Sequence, residues 1–177
     1  MFKRIVFCDI DHVLCDASVR DHMINPVHSL VTEEEFNAYH LAAKSDLPIH
    51  YMIKLVNDLF SSGIQMVLIT ARPDCYRSLT KAWLRSHCVN FDQLIMRPDG
   101  DRNPSPVLKA MQIKEYIKAF NIDDQSRVLL VDDRKDICDA MAEIGVQTLQ
   151  FSYNRHQDGK AKEVWAKACE VEEAVST

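Results

Sequence analysis

The sequence has few glycines and no long apolar run, and both shortages exclude classes of protein. Only four glycines occur among 177 residues, and they form no GxxxxGK[ST] loop for nucleotide phosphates. No apolar run approaches the ~20 residues that a membrane helix needs, and the N-terminus lacks a signal-peptide pattern. The six cysteines include no CxxC pair. We therefore expect a cytoplasmic protein with reduced thiols and no membrane partner.

Positive charge is also scarce overall, but it is unevenly distributed. The net charge is −5, which argues against a protein that coats nucleic acid through a broad basic face. Residues 72–114, however, contain eight Lys or Arg against four Asp, a local excess of four positive charges. Solvated helix faces explain any one of these basic residues. Together, in a folded protein, these basic residues would suit an anionic substrate.

Strand-like and helix-like segments alternate along the chain, and two of the strands are continuously apolar, as expected of strands covered on both faces. This alternation predicts an α/β fold, a doubly wound parallel sheet with right-handed crossovers, in one domain over residues 1–177. The predicted strands are Lys3–Cys8, Ile64–Thr70, Phe91–Met96, Arg127–Val131 and Val146–Phe151. The predicted helices are Pro48–Ser62, Asp74–Cys88, Pro106–Phe120 and Asp136–Ile144.

One segment, at about residues 15–47, does not belong to the alternation. Within it, Thr32 and Glu35 fit a capping box that starts a short helix through about Lys44. We interpret the segment as a small lid-like insertion after the first strand. A final helix rich in Ala, Lys and Glu is predicted over Asp158–Thr177.

Chemically capable side chains occur where the predicted strands end. Asp9 and Asp11 follow the first strand, Thr70 closes the second, and Asp132 and Asp133 follow the fourth. Ligands of open parallel sheets bind beyond the carboxyl ends of the strands, so we expect these groups at one edge. Carboxylates that share a small site repel one another unless a cation or protons intervene, and Mg²⁺ is the natural oxygen-preferring cation. Each pair alone is also ordinary turn or capping chemistry; the conjunction is what predicts a site.

A lysine near the start of a helix completes the set. Lys109 follows a proline-containing loop, and Lys114 lies five residues further on. Five residues correspond to about 140° around a helix, so both lysines cannot face the same site. We prefer Lys109 because of its loop-to-helix position.

In this order, the residues resemble those of the haloacid dehalogenase-like superfamily of phosphohydrolases. That family has Asp-x-Asp-x-Thr/Val after its first strand, Thr or Ser after the second, then Lys, and last an acidic pair. The resemblance implies a Rossmann-like sheet with a small helical cap after the first strand, and it covers the whole core. The matching residues are Asp9-Ile10-Asp11-His12-Val13, Thr70, Lys109 and Asp132-Asp133.

A narrower resemblance is to the 3′-phosphatase domain of bacteriophage polynucleotide kinases. Thr70-Ala71-Arg72, Arg97-Pro98-Asp99-Gly100-Asp101 and Asp132-Asp133-Arg134 carry it. His12 and Ala71 stand where the family usually has Gly, and histidine tolerates unusual turn geometry better than most residues but not freely. These departures, with Val13 in place of the commoner Thr, bear on substrate choice more than on chemistry.

The resemblance implies that Asp9 attacks phosphorus and forms an aspartyl-phosphate. Asp11 would protonate the leaving oxygen and later take a proton from water, and its presence favours phosphate-ester hydrolysis over dehalogenation. Thr70 and Lys109 would hold the phosphoryl oxygens.

The resemblance also implies a metal and substrate contacts. Asp9, the backbone carbonyl of Asp11 and Asp132 would hold Mg²⁺, with Asp133 supporting the acidic cluster. Arg72 would contact the substrate, and Arg134 would help.

Three functions are compared. The first is removal of a 3′-phosphate from DNA or RNA ends, with no obligate protein partner. The second is a phosphatase of free nucleotides or other small metabolites, which a lid using His22, His28 or Tyr39 would favour. The third is a phosphorylated receiver module. Its acidic pair would lie near the N-terminus, whereas here that pair comes last, so this third function is disfavoured.

Overall fold

The computed structural model describes residues 4–23 and 32–153. Within these ranges seven strands are present, two of which belong to the insertion. They are β1 (Ile5–Cys8), β2 (Cys15–Asp16), β3 (Leu47–Pro48), β4 (Gln65–Pro73), β5 (Gln93–Arg97), β6 (Val128–Asp132) and β7 (Gln147–Gln150). The α-helices are α1 (Ser18–Asp21), α2 (Glu33–Ala42), α3 (His50–Ser61), α4 (Arg77–Ser86), α5 (Ser105–Ala119) and α6 (Lys135–Glu143).

Five of the strands form a parallel sheet in the order β5-β4-β1-β6-β7. β1 lies at the centre and pairs in parallel with both β4 and β6. The direction of winding reverses at β1, so the carboxyl ends of β1 and β6 border the crevice where ligands bind in such folds. The predicted doubly wound parallel sheet is confirmed.

Both faces of the sheet are covered by helices. Along β1, Val6 and Cys8 belong to one apolar cluster with side chains of α3 and α4, whereas Ile5 and Phe7 belong to another with side chains of α5 and α6. Successive strand residues point to opposite faces, so a strand buried on both faces must be apolar throughout. This explains the continuous apolar run in β1.

Element boundaries differ from the predicted ones by a few residues. The largest difference is in β4, which runs on to Pro73, although its pairing with β5 is interrupted between Ile69 and Pro73. Thr70 therefore lies at a break in the ladder instead of at the last residue of a strand. α3 begins at His50 because Pro48 pairs in β3. Asp74–Tyr76 form a 3₁₀ turn ahead of α4.

The insertion is closed at its base by a two-stranded antiparallel pair, in which Cys15 faces Pro48. Strands of two residues carry no periodic pattern, and for this reason they were not predicted. The predicted capping box of α2 is present: the Glu35 N–H donates to Thr32 Oγ1 at 3.2 Å, and the Thr32 N–H donates to Glu35 Oε2 at 2.9 Å. The helix ends at Ala42 and continues as a 3₁₀ turn through Ser45.

The helix predicted over Asp158–Thr177 lies outside the described residues. Among the helices of 4–23 and 32–153, none is long and apolar enough to cross a membrane.

Candidate active site

The carboxyl ends of β1 and β6 bring two buried carboxylates onto one lysine. Nζ of Lys109 lies 2.9 Å from Oδ2 of Asp9 and 2.7 Å from Oδ2 of Asp132. Lys109 belongs to the N-terminal part of α5 and is only 1% exposed. The other carboxylate oxygen of Asp9 accepts the Ile10 N–H at 2.8 Å. Three groups from distant parts of the sequence therefore meet at one edge of the sheet.

A third carboxylate gives this cluster an excess of negative charge. Oxygen atoms of Asp9, Asp132 and Asp133 all lie within 4.8 Å of one another. When all three are ionised, the single ammonium of Lys109 leaves an excess of two negative charges, which one divalent cation would balance. Burial raises the pKa values of Asp9 and Asp133, so a cation beside them would favour this ionised state. Carboxylate oxygens on such a site are the donors that Mg²⁺ takes. The residues present therefore fit the metal that the sequence predicts.

Asp11 belongs to a separate network in which the charges balance. Arg72 donates to Asp11 at 2.6, 3.0 and 3.2 Å and to Asp46 at 3.1 Å. Arg20 donates to Asp46 at 3.0 and 3.1 Å and also to Asp11. Cys15 lies within the network, its Sγ 3.4 Å from an oxygen of Asp46. Two guanidinium groups match two carboxylates here, so this network needs no metal.

The two environments shift the pKa values of the two aspartates in opposite directions. Burial raises the pKa of Asp9, and the nearby charge of Lys109 opposes that rise. Burial also acts to raise the pKa of Asp11, but Arg72 and Arg20 outweigh it and hold that pKa well below its usual range. Asp11 is therefore a carboxylate in this arrangement. With its pKa held this low, Asp11 is a weak proton acceptor, and it can take up and give back a proton only once the arginine contacts are exchanged.

Thr70 and Arg72 lie deeper than their predicted roles suggest. Thr70 is fully buried, and its Oγ1 accepts the Arg72 N–H at 3.2 Å. Arg72 is 2% exposed, with its guanidinium directed at Asp11 and Asp46. The structure thus places Arg72 beside Asp11, where it holds the carboxylate, as well as at the edge of the pocket.

Arg134 and the competing lysine occupy more open positions. Arg134 pairs with Asp136, with Nε 3.0 Å from Oδ1, while its backbone N–H donates to Asp132 Oδ1 at 3.0 Å. Arg134 also lines the pocket. Lys114 is exposed and does not line it. The structure therefore places Lys109, and not Lys114, at the carboxylates.

A cavity of about 260 Å³, here called the catalytic pocket, lies over the carboxylates. Asp9 and Lys109 line it from the core, and Tyr39 and His40 line it from α2 of the insertion. The guanidinium carbon of Arg20 lies 4.2 Å from the centre of the Tyr39 ring, a cation–π contact. The insertion therefore forms part of the site.

The predicted lid residues have different outcomes. Tyr39 lines the catalytic pocket, whereas His22 is exposed and does not. His28 lies outside the described residues. His12, where the family usually has Gly, adopts the left-handed region at φ 61°, and its Nε2 lies 3.3 Å from Asp21 Oδ2.

The basic stretch of residues 72–114 does not form a continuous positive surface. Half of its eight basic residues pair with Asp in the described part of the chain: Arg72, Arg77, Arg97 and Lys109. The other half are exposed: Lys81, Arg85, Arg102 and Lys114. The paired half of these basic residues therefore holds carboxylates and loops in place, and the other half faces solvent.

Three residues at or beside the site were not predicted. Arg20 and Asp46 sit at opposite ends of the insertion and meet only because β2 and β3 pair. His40 lines the pocket from the last turn of α2. Neither spacing nor periodicity marks Arg20 or Asp46, since their partners are 26 residues apart in sequence. A signal for His40 existed in Tyr39, its predicted neighbour on the same helix.

The chain was compared with known proteins. A family model described as the polynucleotide kinase PNKP phosphatase domain matches residues 3–156. No curated protein sequence matches significantly.

Solved structures share the fold. A chain in the structure of a Pnkp1/Rnl/Hen1 complex is 23% identical, with a TM-score of 0.61, over 87% of this chain and 48% of that one. A chain in the structure of the Pnkp1/Rnl/Hen1 RNA repair complex is 21% identical, with a TM-score of 0.59, over 85% and 43%. A putative haloacid dehalogenase-like hydrolase from Bacteroides fragilis is 14% identical, with a TM-score of 0.63, over 90% and 93%.

The present chain spans about half the length of those two Pnkp1-complex chains. The family match covers most of the sequence, in agreement with the fold and with the carboxylates at its sheet edge. The chain belongs to the polynucleotide kinase phosphatase-domain family of the haloacid dehalogenase-like superfamily.

Proposed function

We propose that the protein is a Mg²⁺-dependent phosphatase that removes 3′-phosphates from nucleic-acid ends through an aspartyl-phosphate on Asp9. The observation that carries the chemistry is the charge imbalance at the sheet edge. Asp9 and Asp132 pair with one lysine, Asp133 lies beside them, and one divalent cation would balance the three carboxylates when all are ionised. The adjoining Asp11 network, by contrast, is balanced.

Asp9 is the nucleophile in this proposal. The Ile10 N–H holds one of its oxygens and Lys109 the other, so its carboxylate is oriented before substrate arrives. Burial raises its pKa, and the positive charges of Lys109 and of a bound cation would oppose that rise and keep the carboxylate ionised, as attack requires. Lys109 would neutralise part of the charge of an approaching phosphate and hold a phosphoryl oxygen. Thr70 would donate its hydroxyl to another, because its Oγ1 at present accepts a hydrogen bond and its proton is left to donate.

Asp9, Asp132, Asp133 and the backbone carbonyl of Asp11 would hold the metal. Bound there, Mg²⁺ supplies positive charge that offsets the repulsion between the Asp9 carboxylate and the substrate phosphate. Lys109 cannot do so alone, since it already pairs with two carboxylates.

Asp11 transfers the protons in this proposal. Its carboxylate is engaged by Arg72 and Arg20, so it takes a proton readily only when those contacts loosen. A phosphate dianion in the pocket would compete with Asp11 for Arg72, because guanidinium binds phosphate as well as carboxylate. Loss of the Arg72 contact would raise the pKa of Asp11, so that Asp11 would take a proton from solvent and give it to the leaving oxygen. The carboxylate left behind would then take a proton from the water that hydrolyses the aspartyl-phosphate.

The 3′-end substrate is supported by the family and by two observations in this chain. The family is named for the phosphatase domain of polynucleotide kinases, and two structures with the same fold come from complexes that contain Pnkp1, one of them named an RNA repair complex. In this chain the catalytic pocket adjoins a larger groove; Arg102 lines the groove and Arg134 lines the pocket.

A free nucleotide is the second candidate. Tyr39 and His40 extend over the catalytic pocket from the insertion, as a cover for a small ligand would. Both substrate classes place a phosphate on Asp9, so they differ only in what lies beyond the pocket.

The test is phosphate release with and without Mg²⁺. The substrates are oligonucleotides of DNA and RNA carrying a 3′-phosphate, the same oligonucleotides carrying a 5′-phosphate, and a panel of mononucleotides. We expect Mg²⁺-dependent release from the 3′-phosphorylated oligonucleotides. Activity confined to mononucleotides would refute the end-processing function, and activity that survives a chelator would refute the metal.

A further inference from the structure

Beside the catalytic pocket lies a second cavity of about 910 Å³, here called the aromatic groove. It is bordered by α2 of the insertion, by the turn that follows β4 and by the loop that follows β5. Tyr39 is one of four aromatic side chains in its lining, and the other three are Phe36, His40 and Tyr76.

These rings form a continuous row. The His40 ring stacks on Tyr76, with 4.9 Å between centroids and 27° between planes. Phe36 meets His40 edge to face, with centroids 4.5 Å apart. Phe36 nevertheless remains 39% exposed. An apolar ring left this open in the lining of a groove is available to stack on a planar ligand.

The groove and the catalytic pocket are continuous, because they share Tyr39, His40, Ala71 and Ser105 in their linings. The two cavities differ in size, and this difference indicates which part of the substrate each one could hold. Pockets that hold a whole small ligand measure about 300–1,000 Å³. The catalytic pocket, at about 260 Å³, is smaller than that, whereas the groove lies within the range. The phosphate end fits the first, and the second is large enough for the nucleoside attached to that phosphate.

The charged residues of the groove carry no excess of positive charge, since Arg97 and Arg102 stand beside Glu33, Asp99 and Asp101 in its lining. Arg97 donates to Asp101 at 3.0 Å and to the Asn103 carbonyl at 2.7 Å. Asp99 accepts the Cys75 N–H at 2.8 Å. Only Arg102 is an exposed cation of the lining, with no ion pair among the described residues. The groove is therefore poorly suited to follow a phosphate backbone, and stacking is the recognition that it offers.

We propose that the aromatic groove binds the base of the terminal nucleotide that bears the 3′-phosphate, with Phe36 and Tyr76 as the residues that determine this specificity. The inference rests on the proposed function, because it requires a phosphate on Asp9 that is attached to a nucleoside. Aromatic stacking accepts every base, so the groove selects for the presence of a base and not for its identity.

The test compares two oligonucleotides that differ only in the terminal residue. One ends in a normal nucleotide with a 3′-phosphate, and the other in an abasic tetrahydrofuran residue with the same 3′-phosphate. We expect the wild-type protein to show a KM about 5- to 100-fold lower for the base-bearing end, the range that one stacked base supplies. Phe36→Ala should remove most of that difference by raising KM for the base-bearing end alone, and Phe36→Tyr should restore it.

Phe120→Ala is the matched control. Phe120 is 53% exposed and also packs on a tyrosine, Tyr116, but it caps the far end of α5. Fifteen helical residues separate it from Ser105 in the groove, about 22 Å along the axis. We expect both substrates to be unaffected by this change.

The results separate the two proposals. Equal KM values of the wild-type protein for both ends would overturn the base subsite and leave the 3′-phosphatase function standing. If Phe36→Ala raised KM equally for both oligonucleotides, the aromatic row would serve only to hold α2 in place, and the base subsite would likewise be overturned. No release from either end would overturn the proposed function, and the base subsite with it.

Discussion

Neutralising Asp46 is the most direct test of the buried arginine network. The Asp46 carboxylate accepts from Arg20 at 3.0 and 3.1 Å and from Arg72 at 3.1 Å, and its side chain is 2% exposed. Asp46→Asn keeps the volume of the side chain but removes its charge. Two guanidinium groups would then share Asp11 alone, and one buried positive charge would have no partner.

The expected cost follows from that unpaired charge. Removing one partner of a buried ion pair costs about 3–5 kcal/mol of unfolding free energy. In a protein of this length each kcal/mol lowers Tm by about 2–4 °C, so Asp46→Asn should lower Tm by about 6–20 °C. The matched control is Asp139→Asn, which removes an exposed partner of Lys135 at 2.7 Å. Exposed pairs of this i,i+4 kind contribute about 0.3–0.5 kcal/mol.

Urea unfolding followed by tryptophan fluorescence measures both variants, and Trp83 is a local reporter because its indole N–H donates to the Asp46 carbonyl at 2.9 Å. A double variant, Asp46→Asn with Arg20→Gln, removes opposite charges together. Its cost should fall short of the sum of the single costs by about 0.5–3 kcal/mol. Strictly additive costs, or equal losses in Asp46→Asn and Asp139→Asn, would show that charge balance does not hold this network together.

Four further predictions concern the site and its cover. Asp9→Asn should lower phosphate release by roughly 10⁴-fold or more while the circular dichroism spectrum stays unchanged; retained turnover would mean that another group attacks. Asp132→Asn should raise the Mg²⁺ concentration for half-maximal activity by at least about tenfold, and an unchanged Mg²⁺ titration would remove Asp132 from the metal site. Lys109→Met should lower kcat by about 10²–10³-fold, whereas exposed Lys114→Ala should have little effect; the reverse pattern would exchange their roles. Burial lowers the pKa of His40 from 6.5 to about 4, so the unfolded chain binds a proton between those pH values that the folded protein does not. Stability should therefore fall by at most about 3 kcal/mol as the pH drops from 6.5 to 4, and His40→Phe should lack that part of the loss in urea unfolding at each pH.

The region around Asp9 could be predicted from the sequence because the patterns that mark it lie in adjacent residues. β1 is apolar at every position, which marks a strand covered on both faces, and Asp9 follows it directly. The capping box of Thr32 and Glu35 is likewise a matter of four adjacent residues, and the structure contains both of its hydrogen bonds. Helix geometry showed that Lys109 and Lys114 cannot both face the site, and the loop-to-helix position of Lys109 favoured it over Lys114.

The end of β4 could not be predicted from the sequence in this way. The apolar pattern ends near Thr70, yet the strand resumes pairing at Pro73 with Arg97 on β5. That pairing is set by the neighbouring strand, not by the residues of β4 themselves. The two-residue strands β2 and β3 are a second case, since each exists only because the other is present.

The sequence by itself determined the parallel α/β sheet, the order of the candidate catalytic groups and the position of Asp9 at a strand end. Periodicity and strand ends can be recognised from residues that are adjacent in the chain. Only the tertiary structure decided the partners of the charges. Arg72, expected to contact substrate, holds Asp11 and Asp46, and Arg20 joins them from the insertion. Ion pairs and stacked rings depend on distances between residues far apart in the chain, which pattern and spacing do not encode. The same holds at Asp9: only the tertiary structure brings its carboxylate together with those of Asp132 and Asp133, and this excess of negative charge is what favours a divalent cation there.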